Sequence, residues 1–246
     1  MILSLGCLSA HPPVRPPTPA TDLDVSGLEE PGPGQHYYVI VFSSQNTIKQ
    51  PRYTHTWATV VQAADRGPGQ TPVVKFQHTI SWMPATLKIR IHSLQPEPGV
   101  NLELHETIQK VALANREKIF MWGPYECRPR FYVRFLVQKQ FMESGRIGYQ
   151  AVDNLGEARR KGDACDCIHA ISDMDPIYDR REYRLTRYGE AAGRELVAKT
   201  LMEHDALINP GRMHDWLINA LDLEKYPIIR RFETGAPRLI PILRPH

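Results

Sequence analysis

The 246-residue sequence lacks any apolar run approaching the about 20 residues that a membrane-spanning helix needs. It has no marked excess of charge of one sign either: the formal net charge is +3, which is too weak to indicate a nucleic-acid partner. Internal repeats are also lacking. With 42% hydrophobic and 23% charged residues, the composition is that of a globular protein with one large domain or two small ones.

Cysteine is scarce as well. The four cysteines, Cys7, Cys127, Cys165 and Cys167, are too few for a dense disulfide framework. Cys165 and Cys167 form a Cys-x-Cys pair with no second pair at metal-ligand spacing, so we expect no zinc site and no cofactor. His169 keeps a Cys/Cys/His metal site or a redox pair open as alternatives. In an oxidising compartment, a Cys127–Cys165 bridge would leave Cys167 as a thiol.

Proline, in contrast, is abundant, and the 21 prolines are concentrated in the first hundred residues. Residues 1–10, MILSLGCLSA, are apolar and small, and Leu5-Gly6-Cys7 is similar to a bacterial lipoprotein cleavage box. Residues 11–35 are rich in Pro and Gly and predict an extended linker outside the core. Residues 1–35 are thus interpreted as a truncated signal plus linker, with a membrane tether through Cys7 and a location in the bacterial cell envelope. The alternatives are a plain disordered N-terminus and a cytoplasmic protein.

Residues 36–246 are predicted to form a single α+β domain, with a core over 36–176 and a C-terminal helical extension over 177–246. Alternating or continuous apolar patterns predict strands at 36–43, 53–62, 73–82 and 86–92. Because the loops between them are short, we expect an antiparallel sheet of about four to six strands packed against several helices.

The rest of the domain is predicted to be mainly helical. Helical spacing predicts helices over 101–119, 129–144, 189–204 and 211–222, together with a short helix around Cys167. Residues 121–126 are interpreted as a loop, 147–152 as a short strand and 226–232 as an edge strand.

The most informative stretch is residues 162–174, GDACDCIHAISDM. Cys167, Ala170, Ile171 and Met174 recur at helical spacing, and an Asp at 163 or 166 can cap the helix start. A thiol in the first helical turn is expected to have a lowered pKa and to be reactive. The alternative is a buried, inert cysteine.

Two strand histidines complete a candidate catalytic set. His55 and His78 lie on the aromatic faces of neighbouring predicted strands. The alternative for each is a core histidine whose hydrogen bonds are satisfied within the protein. Thiol hydrolysis needs a nucleophile, a base and a group that orients the base, for which we assign Cys167, His55 and His78. The N–H groups from Asp166 to Ile168 are expected to form the oxyanion hole.

Three segments carry a resemblance: Thr54-His55-Thr56-Trp57-Ala58, Gln77-His78-Thr79-Ile80 and Asp166-Cys167-Ile168-His169-Ala170. They resemble the circularly permuted branch of the NlpC-type papain-like thiol hydrolases, to which lecithin retinol acyltransferase belongs. The segments HTISWMP, WGPYE and CIHAISD also resemble an uncharacterised family of bacterial proteins. The resemblance covers about residues 36–174.

This resemblance implies a permuted papain-like core with a helical insertion and C-terminal helices. It also implies hydrolysis or acyl transfer at an amide or ester bond through a thioester, with a cell-envelope peptide or lipid as the substrate. The Cys-x-Cys pair departs from the family pattern, so Cys165 is an alternative nucleophile. A non-catalytic envelope-associated binding module of the same fold is the alternative function.

Overall fold

A five-stranded sheet forms the centre of the molecule. The structure is a computed structural model that describes residues 18–152, 163–175 and 188–232. The sheet contains β1 (Gln35–Gln45), β2 (Thr54–Ala64), β3 (Val73–Ile80), β6 (Lys118–Glu126) and β9 (Ile228–Arg231). The strand order is β3-β2-β1-β6-β9, and every pair is antiparallel except β6 and β9. The predicted α+β class with a mostly antiparallel sheet is confirmed.

Short strands and helices surround this sheet. Two small ladders pair β4 (Trp82–Pro84) with β5 (Gly99–Asn101) and β7 (Gly148–Tyr149) with β8 (Ala164–Cys165). The helices of the described residues are α1 (Leu104–Glu106, continued by π-helical Thr107–Leu113), α2 (Pro129–Glu143), α3 (His169–Ser172), α4 (Glu190–Leu196, continued by π-helical Val197–Met202) and α5 (Trp216–Ala220). Single 3-10 turns lie at Pro51–Tyr53 and Leu223–Lys225.

Side-chain alternation along the sheet separates two hydrophobic cores. Successive strand residues point to opposite faces, so β1 and β2 each contribute to both cores. One face, here called the α2 face, packs against α2, α3 and α4 and presents Val39, Val41, Ala58 and Val60. The other, the α1 face, packs against α1 and α5 and presents Ile40, Phe42, Trp57 and Val61. Because both faces are buried, a one-residue slip in register would exchange the two sets and is strongly disfavoured.

Residues 86–92 are not the fourth strand that the sequence predicts. The Leu87 N–H donates to the Pro84 carbonyl at 2.8 Å, and Leu87 has a left-handed φ of 55°, so the chain turns after β4. The alternation is nevertheless real, because Leu87, Ile89 and Ile91 are half-buried while the residues between them are exposed. The alternating burial at 86–92 comes from an extended loop that packs on the core but does not pair with the sheet.

The predicted loop at 121–126 is also wrong, since these residues form most of β6. The Gly123–Pro124 pair, which is typical of a turn, sits inside the strand at an irregularity in the pairing between β1 and β6. Gly123 has a φ of 90°, and a Cβ there would lie 2.9 Å from the Val39 carbonyl oxygen. A bulge of this kind lets a turn-forming pair remain within a ladder.

The predicted boundaries of the helix and linker also change. The helix expected over 101–119 occupies only Leu104–Leu113, because Asn101 belongs to β5 and Ile119 to β6. Residues 18–30 pack on the domain, although the sequence predicts an extended linker. Ala20 is buried in the α2-face core, and the Thr18 hydroxyl donates to the Asp173 carbonyl at 3.1 Å.

Replacing Gly99 with Ala is expected to lower the free energy of unfolding by about 1–3 kcal/mol, the usual cost of overpacking. A Cβ at Gly99 would lie 1.9 Å from the nearest Trp82 ring atom in the β4–β5 ladder. Gly27→Ala is the matched control, because a Cβ there meets nothing within 4 Å. Urea unfolding compares the two variants, and equal stabilities would contradict the packing described for Trp82.

Candidate functional site

A cavity of about 350 Å³ opens on the α2 face beside the Cys-x-Cys segment. Five parts of the chain surround it: the start of β2 with the turn before it, the loop after β4, the end of β7 with the residues after it, the segment after β8, and the residues before α4. Its lining is formed by Pro51, Thr54, His55, Thr56, Ile89, Ile91, His92, Tyr149, Ala151, Val152, Asp166, Cys167, Ile168, Tyr188 and Gly189. The volume lies in the range of small-molecule sites in proteins.

Among the three described cysteines, Cys167 reaches this cavity. Its exposed fraction is 9%, against 1% for Cys165 and 0% for Cys127. Burial raises the pKa of the Cys127 thiol, which makes its reactive thiolate form scarcer. None of these three cysteines is in a disulfide, so the hypothetical Cys127–Cys165 bridge is not formed; the Cys165 sulfur instead lies 3.9 Å from the Met142 sulfur.

Asp166 organises the turn that carries Cys167. One of its carboxylate oxygens accepts the Ile168 and His169 N–H groups, at 2.7 and 2.9 Å. The N-cap of α3 is Ile168, with no side-chain cap bond, so Asp166 orders the turn before the helix and is not the predicted cap. The predicted oxyanion hole must be corrected, because the Ile168 N–H already donates to this carboxylate. Cys167 also precedes α3, which has only four residues, and is not within its first turn.

Asp166 also holds the imidazole of His169. Its second carboxylate oxygen lies 2.8 Å from His169 Nδ1, and both side chains are buried. A carboxylate accepts from Nδ1–H and so favours the tautomer whose Nε2 is basic. The sequence indicated His169 only as a possible metal ligand. The i,i+3 spacing of Asp166 and His169 at a helix start was the signal for their contact.

His55 does not meet Cys167 as predicted. Its ring stacks on Trp57 with centroids 5.5 Å apart, and Nε2 lies 2.8 Å from the Ser81 hydroxyl oxygen. Trp57 belongs to the α1-face core, whereas Cys167 belongs to the α2-face core. The sheet thus separates the imidazole from the thiol, although His55 borders the cavity between Thr54 and Thr56. Burial lowers the pKa of His55 to about 3, so the ring is neutral.

The predicted contact between His78 and His55 is wrong for a related reason. His78 pairs with Val60 and shares the α2 face, while His55 shares the α1 face with Trp57. The His78 ring instead lies edge-on to Tyr132 of α2, with centroids 6.4 Å apart. Burial lowers its pKa, and the nearby Lys139 adds to this. His78 is outside the described lining of the cavity.

Two cavity residues were missed by the sequence analysis. His92 is exposed at the cavity and follows the apolar residues Ile89 and Ile91. Tyr149 is buried, and its pKa is raised well above the ordinary value, first by burial and then by the nearby Cys167 and Asp166. A phenol in this setting stays protonated. The alternating pattern at residues 86–92 predicted a strand, so the sequence did not indicate that this segment lines a cavity.

The fold and site define an α+β protein with a thiol at the wall of a largely apolar cavity. Comparisons with protein-family models, curated proteins and solved structures found no match for the chain. Among residues 18–152, 163–175 and 188–232, no cluster of three or more His, Cys, Asp or Glu side chains is arranged to hold a metal ion. Within the same ranges, no helix has the length and apolar character needed to cross a membrane. Cys7 lies outside the described residues.

A buried polar cluster lies behind the cavity, on the α1 face. Ser44 is the cross-strand neighbour of His55, and its hydroxyl donates to the Glu117 carboxyl group. Burial raises the pKa of Glu117 from 4.5 to about 7, partly offset by hydrogen bonds from Ser44 and Asn115. The folded chain therefore retains a proton at Glu117 that the unfolded chain loses between these two pH values.

Glu117→Gln is expected to increase stability more at pH 8 than at pH 4. The wild-type carboxyl reduces the free energy of unfolding as pH rises from 4.5 to 7, by up to about 3 kcal/mol, and an amide does not ionise. Urea unfolding of both proteins at the two pH values measures this difference, while titration of His55 affects both alike. Exposed Glu224→Gln is the control, and the same pH-dependent gain there would contradict the assignment.

N-ethylmaleimide is expected to modify Cys167 roughly tenfold faster than Cys165 or Cys127, because accessibility limits thiol reactions. Peptide mapping by mass spectrometry assigns the label to individual cysteines, so that reaction at Cys7 is counted separately. Cys167→Ala should remove this fast label, while Cys165→Ala should leave it in place. Preferential labelling of Cys165 would contradict the placement of the two thiols.

Proposed function

We propose that the protein binds a small, largely apolar, lipid-like ligand in the Cys167 cavity. The observation that carries this proposal is the cavity wall, where Ile89, Ile91, Ala151, Val152 and Ile168 contribute apolar surface. Most of the exposed surface of this wall is apolar, and polar side chains such as Thr56, His92 and Tyr149 lie among the apolar ones. This combination is typical of sites for small organic ligands. This is the binding-module alternative of the sequence analysis, with its ligand narrowed to one chemical class.

Two polar groups of the wall are already hydrogen-bonded within the protein, which favours an uncharged ligand. The Asp166 carboxylate already accepts two N–H groups and contacts His169, and the Thr54 hydroxyl donates to the Pro51 carbonyl at 2.8 Å. A peptide would bring main-chain N–H and C=O groups that require partners when buried. An alkyl or aryl chain needs no such partners. The wall therefore supports the lipid alternative of the resemblance over the peptide alternative.

The neutral fluorescent probe N-phenyl-1-naphthylamine tests this proposal. The wild-type protein is expected to enhance its emission, and Ala151→Phe should weaken binding at least tenfold because the added ring fills the cavity. Ala114→Phe, at an exposed position after α1, is the matched control and should bind as the wild type does. Equal weakening by both variants, or no effect of Ala151→Phe, would place the bound probe elsewhere.

A second candidate function is cysteine-dependent hydrolysis or acyl transfer, as the resemblance implies. The Asp166–His169 pair favours it, because a carboxylate-oriented imidazole follows Cys167 by two residues in the sequence, although His169 does not line the cavity. In this version the Cys167 sulfur attacks the carbonyl carbon of an amide or ester, giving a thioester as the bond to the leaving group breaks. His169 replaces His55 as the base and returns the proton to the leaving group. Water or a second acceptor then takes the acyl group.

p-Nitrophenyl octanoate tests this second candidate. Cys167→Ala is expected to abolish acyl-enzyme formation, and His169→Gln should slow it at least about 100-fold, the lower range for acid–base catalysis. His78→Gln, outside the cavity, is the control and should retain activity. A p-nitrophenol burst that survives Cys167→Ala would exclude a Cys167 thioester and leave ligand binding as the proposed function. Mass spectrometry of the acylated protein identifies the modified residue.

The predicted tether through Cys7 and the envelope location remain proposals. The structure supports them through the apolar cavity, which suits a protein that works beside lipids. Their test is metabolic labelling with a palmitate analogue in a bacterial host that processes lipoproteins. Loss of the label in Cys7→Ala would support the tether, and absence of label in the full chain would contradict it.

A further inference from the structure

A second cavity, also of about 350 Å³, lies at the other end of the 163–175 segment from Cys167. Met174 and Asp175 contribute to its wall, facing residues from 23–29 and from α2. The site thus uses the N-terminal stretch that the sequence analysis assigned to a linker. Leu23, Val25, Phe131 and Ala206 make much of its wall apolar.

Most of the charged groups around this second cavity are already compensated. Arg130 pairs with Glu29 and donates to the Asp205 carbonyl, and Asp175 bonds to His204 Nδ1. The Asp24 carboxylate is exposed and accepts the Ser26 N–H at 3.0 Å. One cationic side chain of the wall remains without such a partner among the described residues.

That cation is Arg134, one helical turn after Arg130 on α2. Within the ranges that the structure describes, its guanidinium forms no hydrogen bond or ion pair, and its Nε is buried without an acceptor. Burial lowers its pKa, but an arginine keeps its charge at neutral pH. A half-buried, unpaired guanidinium on a cavity wall is a site for an anion, since charge-assisted bonds to its fork are strong.

We propose that this second cavity binds a small organic carboxylate, with the carboxylate on Arg134 and a short apolar body against Phe131 and Val25. A monoanion fits better than a phosphate dianion, because the carboxylates of Asp24, Glu29 and Asp175 border the same space and would repel a second negative charge. The site is separate from the Cys167 cavity and does not depend on the function proposed for it.

Isothermal titration with hexanoate, 1-hexanol and hexyl phosphate tests the proposal on the full chain. Hexanoate is expected to bind at least tenfold more tightly than either of the other two. Arg134→Gln should weaken hexanoate at least tenfold and leave hexanol unchanged. Equal binding of hexanoate and hexanol, tighter binding of hexyl phosphate, or no hexanoate binding at millimolar concentrations would overturn the proposal.

Two control variants make the result specific. Arg146→Gln removes an exposed arginine that lies over the Phe141 ring outside the cavity, and it should bind hexanoate as the wild type does. Ala151→Phe fills the Cys167 cavity and should also leave hexanoate binding unchanged; if it abolishes that binding, the carboxylate occupies the other cavity and the proposal fails.

If Arg134→Gln does not fold, Arg134→Lys provides the test, since loss of the planar guanidinium fork should weaken hexanoate binding at least threefold. Unchanged affinity in Arg134→Lys would then overturn the proposal.

Discussion

Side-chain alternation along β2 determines which groups can meet at the site. Trp57 is held on the α1 face by stacking on Phe42, with ring centroids 5.2 Å apart. His55, two residues earlier, must then point the same way, and the Thr residues on either side of it point to the Cys167 cavity. Moving His55 to the cavity side would require a one-residue slip that places Trp57 and Val61 among the α2-face residues. Packing of the two cores therefore fixes the chemistry of the cavity.

This constraint explains which parts of the structure the sequence could predict. A continuous apolar run located β1, period-two patterns located β2 and β3, and helical spacing located α2, because each of these patterns lies within one continuous segment of the chain. The α+β class follows from those segments alone. Pairing register depends on contacts between distant segments, so the sequence showed that His55 and His78 each lie on an apolar face, but not that the two faces are opposite. The same limitation applies to β6, where a bulge retains Gly123 and Pro124 in the ladder.

The candidate site shows a similar division between local and distant information. A local role for Asp166 was predictable because its bonds to Ile168 and His169 span two and three residues, although these bonds order the turn before α3 and do not cap the helix. The sequence could indicate Cys167 as a candidate reactive residue of the segment. It could not indicate that Cys167 lines a cavity, since the wall of that cavity includes Ile89 and Ile91 from a loop about 75 residues away. The Pro-rich start of the chain misled for the opposite reason: Ala20 and Val25 are isolated apolar residues whose burial depends entirely on tertiary packing.

The 163–175 segment links the two cavities mechanically. Its first half is fixed by Asp166 and by the pairing of β8 with β7, and its second half by the contacts of Asp173 and Asp175 with Thr18 and His204. Gln138 of α2 also donates to the Ala170 carbonyl at 3.1 Å, which anchors the middle of the segment to the helix that carries Arg134. A shift of α3 would consequently move the walls of both cavities. Binding in one cavity can influence the other only to the extent that it displaces this short helix, because the sheet beneath is held by packing on both faces.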